Sequence, residues 1–192
     1  MAEKPIDQDY KGMLLDIAVR AIEAGMTGES AWPLAGIDLQ TLPEELVVTR
    51  ATFVTLHLRG ELRGCIGSME ATRPLAHDVA YHAYAAAFQD PRFPSLTRAE
   101  WPETTVHLSI LSPMQAVSVA SEEELLALLR PGIDGVLLEE GRRHATFLPS
   151  VWEQVPDPAA FVRHLKQKGG WTLDEWPPQM RVFRYTTESV PA

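Results

Sequence analysis

The only cysteine of the chain, Cys65, lies in the segment Leu62-Arg63-Gly64-Cys65-Ile66-Gly67. A thiol is nucleophilic as its thiolate, and the nearby Arg63 guanidinium favours that form. Gly64 and Gly67 carry no side-chain bulk, and glycines within a strand often mark a close approach or a bulge. The segment therefore predicts a thiol that attacks or carries a ligand, with both glycines beside the ligand. The alternative is a small cysteine packed under a helix, because most free cysteines are buried.

Two arginines are candidates for holding the anionic part of such a ligand. Arg63 belongs to the cysteine segment, and Arg92 lies in the compact segment Asp90-Pro91-Arg92-Phe93-Pro94. A guanidinium group binds a carboxylate or a phosphate through two parallel hydrogen bonds. For Arg92, the alternative is a salt bridge to Asp90 that fixes the shape of a proline-containing loop.

A β-hairpin is predicted to position the cysteine. Residues 47–58 are rich in β-branched and apolar side chains and should contain a strand. Residues 59–61 fit a three-residue loop with a central glycine, so residues 62–67 would return antiparallel to residues 53–58.

The alternation of side chains predicts the register of this hairpin. With Leu58 opposite Leu62, the apolar side chains share one face of the sheet. Thr55 then lies opposite Cys65, with His57 on the diagonal. His57 is therefore the candidate base, or orienting group, for the thiol.

The histidines do not have the spacing of a metal site. None of the six forms a His-x-x-x-His pair. His77 and His82 are five positions apart, which separates them by roughly 140° around a helix. His57 and His107 are predicted to share strand faces with Cys65, which leaves a mixed His/Cys site as an alternative. The sequence predicts no metal, and it identifies no cofactor because nucleotide-binding fingerprints are absent.

Helices are predicted over residues 10–25, 74–88, 121–130 and 157–168 from periodicity, capping residues and prolines. Gly25 is expected to end the first of them, and the stretch containing Pro33 and Gly36 is expected to be a loop. Thr97 and Glu100 have the spacing of a capping box. The run Lys166-Gln167-Lys168 is typical of a solvated helix end.

Further strands are predicted over residues 104–112, 136–138, 145–148 and 180–185, the last being the final strand. Strands joined by hairpins, with helices between the pairs, are typical of an α+β protein. The predicted fold class is therefore α+β, with a mainly antiparallel sheet and flanking helices.

Composition limits the class of partner. The 192 residues are 45% hydrophobic and 22% charged, and the net charge is −9. That charge disfavours broad binding to nucleic acid or to an anionic membrane. A single cysteine excludes an internal disulfide and suits a reducing compartment. The first residues contain no basic segment leading into an apolar run, and no stretch approaches the length of about 20 apolar residues needed to cross a bilayer. We expect a cytoplasmic protein with one domain over residues 1–192, or with two interleaved lobes.

Several segments, in this order along the chain, resemble a known family: 62–67, 87–94, 108–112, 134–136, 147–149 and 168–170. Over about residues 10–188 the chain is similar to the AMMECR domain family, and in bacteria to protein A of the AmmeMemoRadiSam system. The resemblance implies an α/β domain in two lobes around a cleft, with the cysteine segment near that cleft. It also implies a Memo-like protein and a radical S-adenosylmethionine enzyme as partners. The family's activity is not established, so the resemblance does not decide whether the protein is an enzyme.

Two functions are compatible with these residues. In the first, Cys65 binds or covalently handles a small anionic or electrophilic ligand in the cleft. Arg63 and Arg92 then hold its anionic part, and His57 assists the thiol. In the second, the protein is a noncatalytic partner or scaffold subunit for the Memo-like protein and the radical enzyme, docking through its glycine-rich hairpin. The sequence names neither a substrate nor a reaction.

Overall fold

The structure, a computed structural model, describes residues 6–28 and 37–190. The helices are α1 (Gln8–Thr27), α2 (Glu44–Val47), α3 (Leu75–Phe88), α4 (Glu122–Leu128) and α5 (Pro158–Gly169). The strands are β1 (Thr52–Leu58), β2 (Glu61–Gly67), β3 (Thr104–Leu111), β4 (Gln115–Val117), β5 (Gly135–Glu140), β6 (Arg143–Phe147), β7 (Arg181–Tyr185) and β8 (Thr187–Val190). The predicted α+β class is confirmed. The predicted loop residues Pro33 and Gly36 lie outside the described residues.

The chain forms two compact units. Unit 1 runs to Leu111 and resumes at Glu188, and unit 2 is Ser112–Thr187. Each unit contains one four-stranded sheet, in the order β2-β1-β3-β8 in unit 1 and β4-β7-β5-β6 in unit 2. None of the helices in the described ranges combines the length and the apolar character that crossing a bilayer requires.

In unit 1, helices α1 and α3 pack against each other and against one face of the sheet. The alternation of β1 and β3 directs apolar side chains to that face, where Val54, Leu56, Val106, Leu108 and Ile110 are buried. The intervening residues of the same strands therefore point to the opposite face. We call this opposite face the outer face of the unit 1 sheet.

Helix α1 ends two residues later than the sequence predicts, at Thr27 and not at Gly25. Asp7 caps its start by accepting a hydrogen bond from the Asp9 amide, and Gly28 ends it in the left-handed conformation with φ of 71°. Gly25 lies inside the helix, so the prediction that it ends the helix is wrong. A Cβ atom there would lie 2.3 Å from the Phe88 ring, so Gly25 serves the close approach of α1 to α3.

Unit 2 packs α5 on its sheet and against α4. The Phe161 ring stacks on Trp152 with centroids 3.8 Å apart, and both side chains are buried. Lys166 is also buried, and its Nζ donates to Glu122 Oε2 at 2.7 Å and to the Leu173 carbonyl at 2.6 Å. The prediction that this lysine belongs to a solvated helix end is therefore wrong.

The turn between β1 and β2 is shorter than the sequence predicts. Arg59 and Gly60 both have positive φ, 52° and 87°, so they form a two-residue turn of the kind that matches the twist of a hairpin. Leu58 consequently pairs with Glu61 and not with Leu62. The prediction that residues 180–185 form the final strand is also corrected, because β8 follows β7 and is the last strand of the described residues.

Candidate functional site

A β-bulge lies at Arg63, next to the cysteine. Leu56 pairs with Gly64 whereas His57 pairs with Leu62, so Arg63 is the extra residue on β2. A bulge bends its strand and redirects the neighbouring side chains. Here it compensates for the shorter turn and restores the register that the sequence predicts beyond this point.

The predicted pairing of Thr55 with Cys65 is confirmed. Gly64 faces helix α3, so the following residue Cys65 points to the outer face. The half-buried thiol has its Sγ 3.2 Å from Thr55 Oγ1, and either atom could be the donor. Thr55 pairs on its other side with His107, so these three residues form a polar row across β2, β1 and β3.

Two histidines lie on the same outer face. The rings of His57 and His107 meet edge to face with centroids 5.2 Å apart. His57 Nδ1 is buried without a hydrogen-bond partner among the described residues. Partial burial, and then the nearness of His57, lower the pKa of His107. His107 is therefore expected to be neutral at pH 7.

The two glycines have distinct packing roles. A Cβ atom on Gly64 would lie 2.2 Å from the Ala86 carbonyl oxygen, so Gly64 lets β2 approach the backbone of α3. A Cβ atom on Gly67 would lie 2.3 Å from the Phe53 ring and 2.5 Å from the Thr52 carbonyl oxygen. Both glycines are therefore required for contacts within unit 1.

Arg63 is bound to a carboxylate. Its side chain is 8% exposed, and Nε and Nη2 donate to the two oxygens of Glu100 at 3.0 and 3.2 Å. Nη2 also donates to the Ser95 carbonyl at 3.3 Å. Glu100 also forms the predicted capping box with Thr97. Its bonds to Arg63 first, and then those from Thr97, lower the pKa of Glu100 to about 2.

Arg92 is bound to Asp90, and the pair reaches Cys65. Arg92 Nη2 lies 2.7 Å from Asp90 Oδ2, and Nε lies 3.0 Å from Oδ1. Asp90 Oδ2 accepts from the Cys65 amide at 2.9 Å, while Arg92 Nη2 donates to the Cys65 carbonyl at 3.3 Å. The guanidinium of Arg92, and then the Cys65 amide, hold the pKa of Asp90 well below its usual range against the opposing effect of burial.

The predicted site residues thus gather around one strand. The guanidinium carbons of Arg63 and Arg92 lie 5.8 and 5.4 Å from the centroid of the Phe93 ring. Sequence reasoning considered Asp90 only as a partner of Arg92, and it missed the bond to the Cys65 amide. The signal available was the position of Asp90 before Pro91, where aspartate commonly organises a turn.

Metal binding finds no support in the described parts of the chain. They contain no group of three or more His, Cys, Asp or Glu side chains arranged to hold a metal ion. His57, His107 and Cys65 therefore do not form the mixed site considered from the sequence.

Comparison with known proteins shows relatives over nearly the full chain. A protein of Methanothermobacter thermautotrophicus is 33% identical over 190 residues, covering 98% of this chain and 97% of the relative. A protein of Thermotoga maritima is 40% identical over 152 residues, covering 78% and 82%. The crystal structure of the uncharacterized protein PH0010 from Pyrococcus horikoshii matches with a TM-score of 0.83 at 28% identity, covering 96% and 92% of the two chains.

The profile of the AMMECR1 family matches residues 15–190, which include the hairpin, both sheets and the cysteine segment. This match agrees with the resemblance that the ordered segments indicate. The chain therefore belongs to the AMMECR1 family.

Proposed function

We propose that the protein binds a small electrophilic compound at Cys65 and carries it covalently on the thiol. The observation that carries this proposal is the contact of 3.2 Å between Cys65 Sγ and Thr55 Oγ1 on the outer face. A cysteine retained for packing alone is expected among apolar side chains, on the face that α1 and α3 cover. Cys65 lies on the other face, within a row of polar side chains.

The chemistry is divided between Cys65, Thr55 and His57. When Thr55 donates its hydroxyl proton to Sγ, it stabilises the thiolate. His57, on the same outer face, takes the thiol proton and becomes positively charged. Its neighbour His107 is neutral and therefore does not repel that charge. The sulfur electron pair forms the new bond to the electrophilic carbon, and the leaving group departs with its own bonding pair. The product is a thioether or thioester on the protein.

An anionic group on the ligand would be held by Arg92. Its side chain is 54% exposed, whereas the side chain of Arg63 is 8% exposed and bound to Glu100. Asp90 neutralises much of the Arg92 charge, so the expected preference for an anionic ligand is modest. We therefore propose that the electrophilic centre selects the ligand and that its charge has a smaller effect.

Alkylation kinetics test this proposal with little ambiguity, because Cys65 is the only thiol. We expect iodoacetamide to react with the folded protein about tenfold faster than with the urea-unfolded chain at pH 7. Cys65→Ser is the blank. His57→Gln should slow the folded reaction, while His144→Gln, at an exposed position in unit 2, should not change it. A folded rate equal to or below the unfolded rate overturns the proposal.

The charge of the ligand is tested with two reagents of similar size. The rate ratio of anionic iodoacetate to neutral iodoacetamide is measured for the folded and the unfolded chain. A ratio that rises two- to threefold on folding fits a modest contribution from Arg92. A ratio that falls on folding contradicts anion binding at this arginine.

A second candidate function is a noncatalytic subunit of an AmmeMemoRadiSam system. The observation that favours it is Leu62, a large apolar residue that is 42% exposed on β2 at the edge of its sheet. An exposed edge strand can bind another protein. In this case Leu62→Ser should weaken association with a Memo-like protein or a radical S-adenosylmethionine enzyme, and Cys65→Ser should not. Leu128→Ser is the control, since Leu128 is 46% exposed in unit 2.

A further inference from the structure

The edge strand β2 has backbone groups that no strand satisfies. In an antiparallel pair, alternate residues direct both their N–H and their C=O groups away from the partner strand. Cys65 is such a residue, because its amide and carbonyl bond to Asp90 and Arg92. Its pairing with Thr55 is therefore of the narrow kind, which brings the two side chains close and accounts for the contact between Sγ and Oγ1.

The carboxylate of Asp90 is fully used in this arrangement. Oδ1 accepts from the Arg92 amide at 3.1 Å and from Arg92 Nε at 3.0 Å. Oδ2 accepts from Arg92 Nη2 at 2.7 Å and from the Cys65 amide at 2.9 Å. Four hydrogen bonds occupy the four lone-pair sites of the group. Asp90 is 4% exposed, so its carboxylate is largely shielded from water, although the Arg92 side chain is 54% exposed.

The loop that carries Asp90 is itself fixed. The Phe93 amide donates to the Asp90 carbonyl at 3.1 Å and closes a turn with Pro91 at its second position. The Leu96 amide donates to the carbonyl of Ala87 at 2.8 Å, which ties the end of the loop to α3. The position of Asp90 is thus fixed by its own turn and by the end of α3, and not only by its bond to β2.

We propose that Asp90 is a positioning residue for Cys65. Together with Arg92, it clamps the N–H and C=O groups of Cys65 at the edge of the sheet. The need for a clamp arises from the bulge at Arg63, since a strand that bulges once has an alternative register one residue away. A slip of one residue would turn the thiol from the outer face to the helix face. The effect on reactivity rests on the proposed function, whereas the clamp itself does not.

The clamp is tested at a single atom. Selective ¹⁵N-cysteine labelling gives one amide resonance, because the chain has one cysteine. Asp90→Ala should raise the hydrogen-exchange rate of that amide about tenfold or more, since its acceptor is lost. Asp90→Asn retains an oxygen acceptor and should restore part of the protection. An unchanged exchange rate in Asp90→Ala overturns the clamp.

Asp78 provides a matched control. It is also a fully buried aspartate of unit 1, and its Oδ2 accepts from the amide of Thr52 at 2.9 Å on β1. Asp78→Ala and Asp78→Asn should lower stability in the same way without accelerating exchange at the Cys65 amide. If they accelerate it as much as the Asp90 variants at equal stability, Asp90 has only a general structural role and the proposal is wrong.

Alkylation of the same variants tests positioning. The iodoacetamide rate of Asp90→Ala should approach that of the unfolded chain, Asp90→Asn should lie between, and the Asp78 variants should keep the wild-type rate. If Asp90→Ala does not fold, Asp90→Asn alone decides, because it must shift both readouts relative to Asp78→Asn. A wild-type folded rate no faster than the unfolded rate refutes the proposed function, yet the exchange result still decides the clamp.

Discussion

Gly64→Ala tests whether the glycines next to the cysteine serve the fold or a ligand. In the structure, a Cβ atom at this position lies 2.2 Å from the Ala86 carbonyl oxygen and 3.1 Å from its carbon. An ordinary contact begins at 3.4 Å, so β2 and α3 must separate by about 1.2 Å. The obstacle is helix backbone, which cannot rotate away as a side chain would. We therefore expect the substitution to destabilise unit 1.

The magnitude follows from two opposing effects. Overpacking a close contact costs about 1–3 kcal/mol, and a backbone obstacle places the cost near about 3 kcal/mol. Replacing glycine restricts the unfolded chain and returns about 0.4–1 kcal/mol. The expected net loss is about 2 kcal/mol. For a chain of this size, that loss lowers Tm by about 4–8 °C.

Urea unfolding followed by circular dichroism at 222 nm measures this change, because α1 and α3 are the longest helices and both belong to unit 1. Gly12→Ala is the matched control: nothing lies within 4 Å of a Cβ atom on this helix residue, so it should gain up to about 1 kcal/mol. A Gly64→Ala protein within about 0.5 kcal/mol of wild type would refute the packing argument. The glycine would then have to be explained by a ligand or a partner.

Three further predictions concern titration and buried polar groups. The folded pKa of Glu100 is lowered to about 2 from 4.5, so the stability that Glu100 contributes is present above pH 4.5 and is lost as pH falls towards 2. Glu100→Gln should therefore flatten the pH dependence of the urea midpoint between pH 5 and about pH 2.5. An unchanged pH dependence would contradict the bond to Arg63. In unit 2, Glu122→Gln should lower the free energy of unfolding by about 3 kcal/mol, because it leaves the buried Lys166 ammonium without its carboxylate partner. Lys166→Met should lower it by under about 1.5 kcal/mol, since Glu122 can reach water. Urea unfolding followed by tryptophan fluorescence compares the two losses, and a larger loss for Lys166→Met would contradict the burial of the lysine. Tyr185→Phe removes a buried hydroxyl that is hydrogen bonded to Thr146 Oγ1 at 2.8 Å and to the Phe147 carbonyl at 3.1 Å. It should lower the free energy of unfolding by about 1 kcal/mol in the same assay, and an unchanged stability would contradict those bonds.

The centre of the hairpin could be predicted from the sequence because strict alternation of apolar residues sets which side chains share a face. That pattern placed Thr55 opposite Cys65, as observed. The turn could not be predicted in the same way, since Arg59 adopts a positive φ that non-glycine residues rarely take. The bulge at Arg63 compensates for that turn, and the alternation of side chains in β2 gives no sign of it.

Contacts between distant segments account for most of what the sequence did not predict. The capping box of Thr97 and Glu100 follows from a spacing of three residues, but the bond from Glu100 to Arg63 joins positions 37 apart. Lys166 gave the signal of a charged helix end, and only tertiary packing buries it against Glu122. A local sequence pattern indicates what a residue can do chemically, but it does not identify the distant residue that it contacts in the fold.

The fold itself explains most of the cysteine segment. Arg63 is bound to Glu100, Gly64 admits the backbone of α3, and Gly67 admits the Phe53 ring. None of these roles requires sulfur at position 65. A serine there would keep both backbone bonds to the clamp and would hydrogen bond to a threonine hydroxyl at least as well as a thiol does. The sulfur atom is thus the part of the segment that the fold leaves unexplained, and this is why we propose the thiol as the reacting group and give Arg92 only a secondary role.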